Sequence, residues 1–190
     1  MSEIKAILFD AGGVIQSGSG PHFLAEAEKT LGLTPVESNA DLVTFDERMN
    51  KGEISVEEML AEMYPGLAEG DMEKLLALWE NEWPTDWDMI EVVKKLKENY
   101  VVGMISNSDI IHEERFEKES VLELFEKPIL SHRVHLIKPG KEIFALACEQ
   151  LELDAGQCVF IDDAMPNIEI AKELGFHTIL FIYQAQFEKE

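Results

Sequence analysis

Ile4-Lys5-Ala6-Ile7-Leu8-Phe9-Asp10-Ala11-Gly12-Gly13-Val14-Ile15 is the stretch on which the fold turns. Its short apolar run stops at an aspartate and a glycine pair, as a strand buried on both faces does when it feeds a tight loop. Three later runs have the same character: Tyr100 to Ile105, Cys158 to Ile161 and Thr178 to Ile182, with Pro128 to Leu130 a weaker fifth. Between them the apolar residues recur at helical intervals. Asp86 to Glu98 spaces Trp87, Ile90, Val93 and Leu96 in this way, with Lys94, Lys95 and Lys97 late, where cations suit the helix dipole. Lys141 to Leu151 and Pro166 to Leu174 repeat the pattern, the second stopped by Gly175. Such alternation predicts a doubly wound, Rossmann-like α/β domain with a parallel sheet.

Residues 16–85 break the alternation. They carry amphipathic helical patterns at Phe23 to Leu31, Leu42 to Asn50, Val56 to Met63 and Asp71 to Glu82, with no strand signal. Gly12 to Gly20 and the Trp83-Pro84 pair bracket the segment as hinges. The expected organisation is an α/β core from 1–15 and 86–190, with an all-helical cap at 16–85 inserted after the first strand.

Composition narrows the partners. The 190 residues hold 38 Asp and Glu against 16 Lys and Arg, a net charge of −22. A chain so acidic lacks the clustered cations that nucleic acid or an anionic membrane requires. A small phosphorylated metabolite remains compatible, because one local cationic pocket outweighs a distant acidic surface. The two cysteines, Cys148 and Cys158, are expected to be buried free thiols. Met1-Ser2-Glu3-Ile4-Lys5 lacks the basic start and apolar stretch of a signal peptide. No apolar run nears the roughly 20 residues that span a bilayer, so a cytoplasmic protein is expected.

In doubly wound sheets, ligands sit beyond the carboxyl ends of the strands. There the chain places Asp10, then Ser106-Asn107-Ser108-Asp109, then Asp162-Asp163, with Lys138-Pro139-Gly140 ahead of a helix. Any one of these is ordinary turn or cap chemistry; the series together fits phosphoryl transfer. A carboxylate such as Asp10 can attack phosphorus and form an acyl-phosphate. Asp10, Asp162 and Asp163 offer hard oxygen ligands for Mg²⁺, which the meeting of two anions calls for. The Ser106 hydroxyl and the Lys138 ammonium suit the equatorial oxygens.

Four segments, Phe9-Asp10-Ala11-Gly12-Gly13-Val14-Ile15, Ile105-Ser106-Asn107, Ile137-Lys138-Pro139 and Phe160-Ile161-Asp162-Asp163, resemble in order and spacing those of the haloacid dehalogenase-like hydrolases. The resemblance is to the branch with a helical cap after the first strand. Asn167 and Lys51-Gly52-Glu53-Ile54-Ser55 fit it as well. It implies Asp10 as nucleophile, Ser106, Asn107 and Lys138 around the phosphoryl group, and Asp163 with Asp162 at the metal. One departure matters. Most phosphatases of that family carry a second Asp two residues after the nucleophile, as general acid and then base, and here Gly12 stands there, as it does in some phosphatase-like members of the branch. Its backbone carbonyl can still ligate the metal, whereas losing the acid typically costs about 10²–10⁴ in rate.

Three activities follow from the resemblance. The expected one is Mg²⁺-dependent hydrolysis of a small phosphomonoester; the alternatives are metal-independent dehalogenation and non-catalytic phosphate binding. His22 is a candidate for a recruited acid and Arg48 for a cap group that selects the substrate. Trp79, Trp83 and Trp87 are expected to pack where cap meets core. His132 and His135 read as residues of a solvated loop or edge strand, and Glu113 to Glu119 as an exposed helix face.

Overall fold

The computed structural model describes residues 3–17, 20–36 and 39–184. Met1, Ser2, and Gly18 with Ser19 of the first hinge lie outside them. Strand β1 (Ala6–Phe9) is followed by four helices, α1 (Gly20–Leu31), α2 (Asn39–Asn50), α3 (Val56–Met63) and α4 (Asp71–Glu82). The alternating part then runs α5 (Trp87–Leu96), β2 (Val101–Ser106), α6 (Ile110–Lys118), β3 (Ile129–Leu130), α7 (Ser131–Val134), α8 (Lys141–Leu151), β4 (Cys158–Asp162), α9 (Met165–Glu173) and β5 (His177–Leu180).

The sheet is parallel throughout, in the order β3-β2-β1-β4-β5. β1 is therefore central, and Ala6 is level with Val101 on one side and Cys158 on the other. All four of its residues are buried, with alternate side chains feeding opposite layers. Ile7 and Phe9 pack with Met89, Ile90 and Val93 of α5, while Ala6 and Leu8 pack with Phe144, Phe160 and Ile168 on the other face. After β1 the chain moves to the β2 side, and it returns to the other side only at β4. The β1–β4 crevice is thus the topological switch point, where such sheets take their ligands.

Helices α1 to α4 bury a separate cluster that includes Phe23, Ala27, Met59, Leu60, Leu75 and Trp79. The two chain crossings into them lie side by side, since Gln16 bridges Thr85 and the Asp86 amide donates to the Ile15 carbonyl at 2.8 Å. Several polar contacts seat these helices on the core. Arg115 donates to the Glu80 and Trp83 carbonyls at 2.6 and 3.0 Å, and Ser131 Oγ donates to the Asn50 carbonyl at 2.5 Å.

Three expectations need correction. Trp87 is 52% exposed and takes no part in the junction, because Asp86 caps a new helix and the periodicity does not carry across the break. Glu113, read as part of an exposed face, is buried, its charge met by Arg133 and by His132 at 2.7 Å. His132 lies in the short helix α7 rather than a solvated strand or loop, and exposed His135 follows it in the left-handed conformation. Both cysteines are free thiols, Cys158 buried and Cys148 half-buried.

Candidate active site

β1 and β4 end level with each other, so Asp10 and the Asp162-Asp163 pair leave the sheet as neighbours. Oxygens of the three carboxylates lie within 4.8 Å of one another. Lys138 enters from the loop before α8. Its ammonium, fully buried, sits 2.6 Å from Asp10 Oδ1 and 2.7 Å from Asp162 Oδ2. Asp10 Oδ1 also accepts from the Ala11 amide at 2.6 Å.

Asp162 is held on both oxygens. Oδ1 takes the Ala164 amide and Asn167 Nδ2 at 2.7 and 3.1 Å, and Oδ2 takes Lys138 and Asn167 Nδ2 at 2.7 and 2.9 Å. Asp163, by contrast, is exposed. Gly13 makes room for it: a Cβ at Gly13 would fall 2.1 Å from Asp163 Oδ2.

Electrostatics follow from this packing. Burial pushes the Asp10 carboxyl up to about 7; Lys138 pulls against that rise and the Asp162 charge adds to it. Burial opposes the charge on Lys138, but Asp10 and Asp162 outweigh it and lift the ammonium above the usual lysine value. Burial and then the Asp162 charge raise Asp163 as well. These are the surroundings of an anion site in which one lysine is shared by two acids.

Ser106, at the end of β2, is buried, and its hydroxyl makes a long 3.1 Å bond to the Asn107 carbonyl. Asn107 spends its amide on the backbone of Lys138, donating to the carbonyl at 3.0 Å and accepting from the amide at 2.8 Å. It therefore clamps the Lys138 loop to β2 while it lines the neighbouring cavity. Next to these residues opens a cavity of about 190 Å³. Gly12, Gln16, Ser106 and Asn107 line it from the core, and Asn50, Trp79 and Trp83 from the helices above.

His22 and Arg48 do not join this set. His22 Nδ1 is bonded to Glu82 and its side chain is 63% exposed. Arg48 pairs with Glu62 at 2.7 Å. Neither is among the described residues that line the cavity. Helices α1 to α4 are rich in acids, so a cationic side chain there meets a neighbouring carboxylate first.

Sequence reasoning passed over His112, Gln16 and Asn50. The signal for His112 was present: Asp109 is the N-cap of α6 and His112 lies three residues on, within reach of the cap carboxylate.

The chain is 26% identical over 187 residues to D-ribitol-5-phosphate phosphatase of Bacteroides thetaiotaomicron, covering 92% of this chain and 90% of that protein. Among solved structures it resembles the haloacid dehalogenase (HAD) family enzyme BT-2542 of the same species, in complex with magnesium and inorganic phosphate. That pair has a TM-score of 0.79 and 28% identity, with 93% of each chain covered. A predicted HAD-like hydrolase from Porphyromonas gingivalis, 20% identical with a TM-score of 0.75, shares the fold over 94% of this chain and 91% of its own. The family model for haloacid dehalogenase-like hydrolases matches residues 4–175, and the chain belongs to that family.

Proposed function

We propose that the protein is a Mg²⁺-dependent phosphatase of a small phosphorylated polyol or sugar, working through a phospho-Asp10 intermediate. The observation that carries this reading is the junction of Asp10, Lys138 and Asp162-Asp163 at the switch point, beside a small cavity of mixed lining. The similarity to a phosphatase of D-ribitol 5-phosphate supports the substrate class.

The residues divide the work. Asp10 keeps Oδ2 clear of the Lys138 and Ala11 contacts, which fall on Oδ1. That oxygen attacks phosphorus, forming the P–O bond to the carboxylate as the ester P–O bond breaks. Lys138, fixed by two carboxylates, holds positive charge where the equatorial oxygens gather it, and Ser106 donates its hydroxyl there. The carboxylate set fits a hard cation, and Mg²⁺, when bound, neutralises the phosphoryl charge and lets an anion approach an anion. Asp10, Asp163 and the Gly12 carbonyl would hold it. Asp162, with both oxygens occupied, acts by fixing Lys138 and the start of α9. The helices above the cavity exclude water and select the leaving group.

The test is inorganic phosphate release from a panel of phosphomonoesters that includes D-ribitol 5-phosphate, run with Mg²⁺ and with EDTA. Turnover should need the metal and vanish in Asp10→Asn. A folded, metal-binding protein that releases no phosphate from any member would overturn the proposal and favour phosphate binding without catalysis.

A further inference from the structure

An alkyl phosphate leaves as an alkoxide, which needs a proton as the P–O bond breaks. The loop after Asp10 offers none, because Gly12 has no side chain. The proton donor must therefore come from the wall of the cavity. Three ionisable side chains there lie apart from the Asp109 cap: Asp46, Glu113 and His112. Asp46 is tied to Asn50, and Glu113 is spent on Arg133 and His132.

His112 is different. Its Nδ1 sits 2.5 Å from Asp109 Oδ2, and its ring packs against the touching pair Trp79 and Trp83, with centroids 5.8 and 5.1 Å away. The residue is 7% exposed, yet Nε2 has no hydrogen-bond partner among the described residues. A buried ring nitrogen without a partner is costly unless something arrives to meet it.

Asp109 is built to stay charged. Burial works against its ionised form, but His112, backbone amides and Trp79 Nε1 together hold the carboxyl below the usual aspartate range. Its Oδ1 accepts from the Ile111 and His112 amides at 2.8 and 3.2 Å, and Oδ2 takes Trp79 at 3.2 Å besides the imidazole. His112 lines the cavity, and a fixed carboxylate on Nδ1–H sets the tautomer and leaves Nε2 as the ring nitrogen uncommitted to another group.

We infer that the Asp109–His112 pair is the acid–base couple of this enzyme, doing from α6 what Gly12 cannot do from the nucleophile loop. The inference rests on the phosphatase reading above. In the first step Asp10 attacks phosphorus, the ester P–O bond breaks, and the leaving oxygen takes the Nε2 proton of doubly protonated His112 to depart as an alcohol. In the second step Nε2 takes a proton from water as its oxygen attacks the phospho-Asp10 phosphorus. The bond to Asp10 then breaks, giving inorganic phosphate, a free carboxylate and His112 protonated again. The charged and titratable groups around the ring are Asp109 and Glu113 on α6, Asp46 on α2 and His132 on α7.

The test compares wild type, His112→Gln and Asp109→Asn on p-nitrophenyl phosphate, whose leaving group needs no proton, and on D-ribitol 5-phosphate, with Mg²⁺ present. His112→Gln should lower kcat/KM about 100-fold on the alkyl ester and less than about 10-fold on the aryl ester. Asp109→Asn should follow the same pattern more weakly. Retained aryl-ester turnover shows that each variant folds. Equal losses on both esters, or a rise in KM alone, would assign His112 to binding or packing and overturn the acid role. Wild type inert towards both esters would instead overturn the phosphatase reading.

Discussion

Replacing Gly13 by alanine puts a methyl group where the Asp163 carboxylate now lies. The new Cβ would stand 2.1 Å from Oδ2 and 2.5 Å from Cγ, so the carboxylate must retreat by roughly 1.3 Å or more to reach ordinary contact. Gly13 also has φ +71°, a left-handed conformation that costs an L side chain about 1–2 kcal/mol. For a chain of this size that strain lowers Tm by about 2–8 °C. Displacing the exposed member of the carboxylate cluster should cost about 10–100-fold in Mg²⁺ affinity. Gly12→Ala is the internal control, since nothing lies within 4 Å of its Cβ and its φ is not left-handed. Calorimetric titration with Mg²⁺ and a thermal melt on both variants make the comparison. Wild-type Mg²⁺ affinity in Gly13→Ala, or an equal loss in Gly12→Ala, would refute the assignment of Asp163 to the metal.

Asp162→Ala strands Lys138 on one partner and frees the Ala164 amide and Asn167 in the interior, so urea unfolding should show a loss of about 3–5 kcal/mol. A loss under about 1 kcal/mol would mean that the network relaxes around the gap. Arg48→Ala should leave the KM of the best substrate unchanged and cost at most about 1 kcal/mol, because its partly exposed pair with Glu62 lies off the cavity. A raised KM would return Arg48 to the cleft. Mg²⁺ binding should release a proton below pH 7 and none well above it: Asp10, pushed up to about 7, is protonated at low pH without metal and must ionise to ligate. Affinity should therefore rise with pH and level off above about 7. Titrations at pH 6 in two buffers of different ionisation enthalpy read that proton directly, and identical heats would contradict it.

The sheet and its edge were legible because their signals are local. Each buried strand is a continuous apolar run, and the residue that ends it falls at the carboxyl edge by the rule of the fold, as Asp10 and Ser106 do. The inner face of α6 was not legible. Ile110-Ile111-His112-Glu113 buries its polar pair and leaves Ile110 48% exposed, the reverse of what hydropathy predicts. The partners that make this tolerable are remote in the chain: Trp79 thirty residues before Asp109, and His132 nineteen after Glu113. No window of sequence displays such pairings. The pairings of Arg48 and His22 were hidden for a related reason, since their acids sit on other helices of the α1–α4 group and meet them only after those helices pack.

Gly12 is the residue at which both arguments meet. Nothing lies within 4 Å of a Cβ at Gly12, so the position has room for a side chain beside the Asp10 loop. Gly12→Asp then sets a carboxyl on the wall that His112 shares. If protonation of the leaving group limits turnover, this variant should raise the alkyl-ester rate while leaving p-nitrophenyl phosphate nearly unchanged. In a His112→Gln background the same change should recover a larger factor, because the two acids serve one oxygen and their effects are not additive. Steady-state rates on the two esters across the four proteins close the cycle. A uniform change for both esters, or equal factors in the two backgrounds, would mean that Gly12 and His112 act on separate steps.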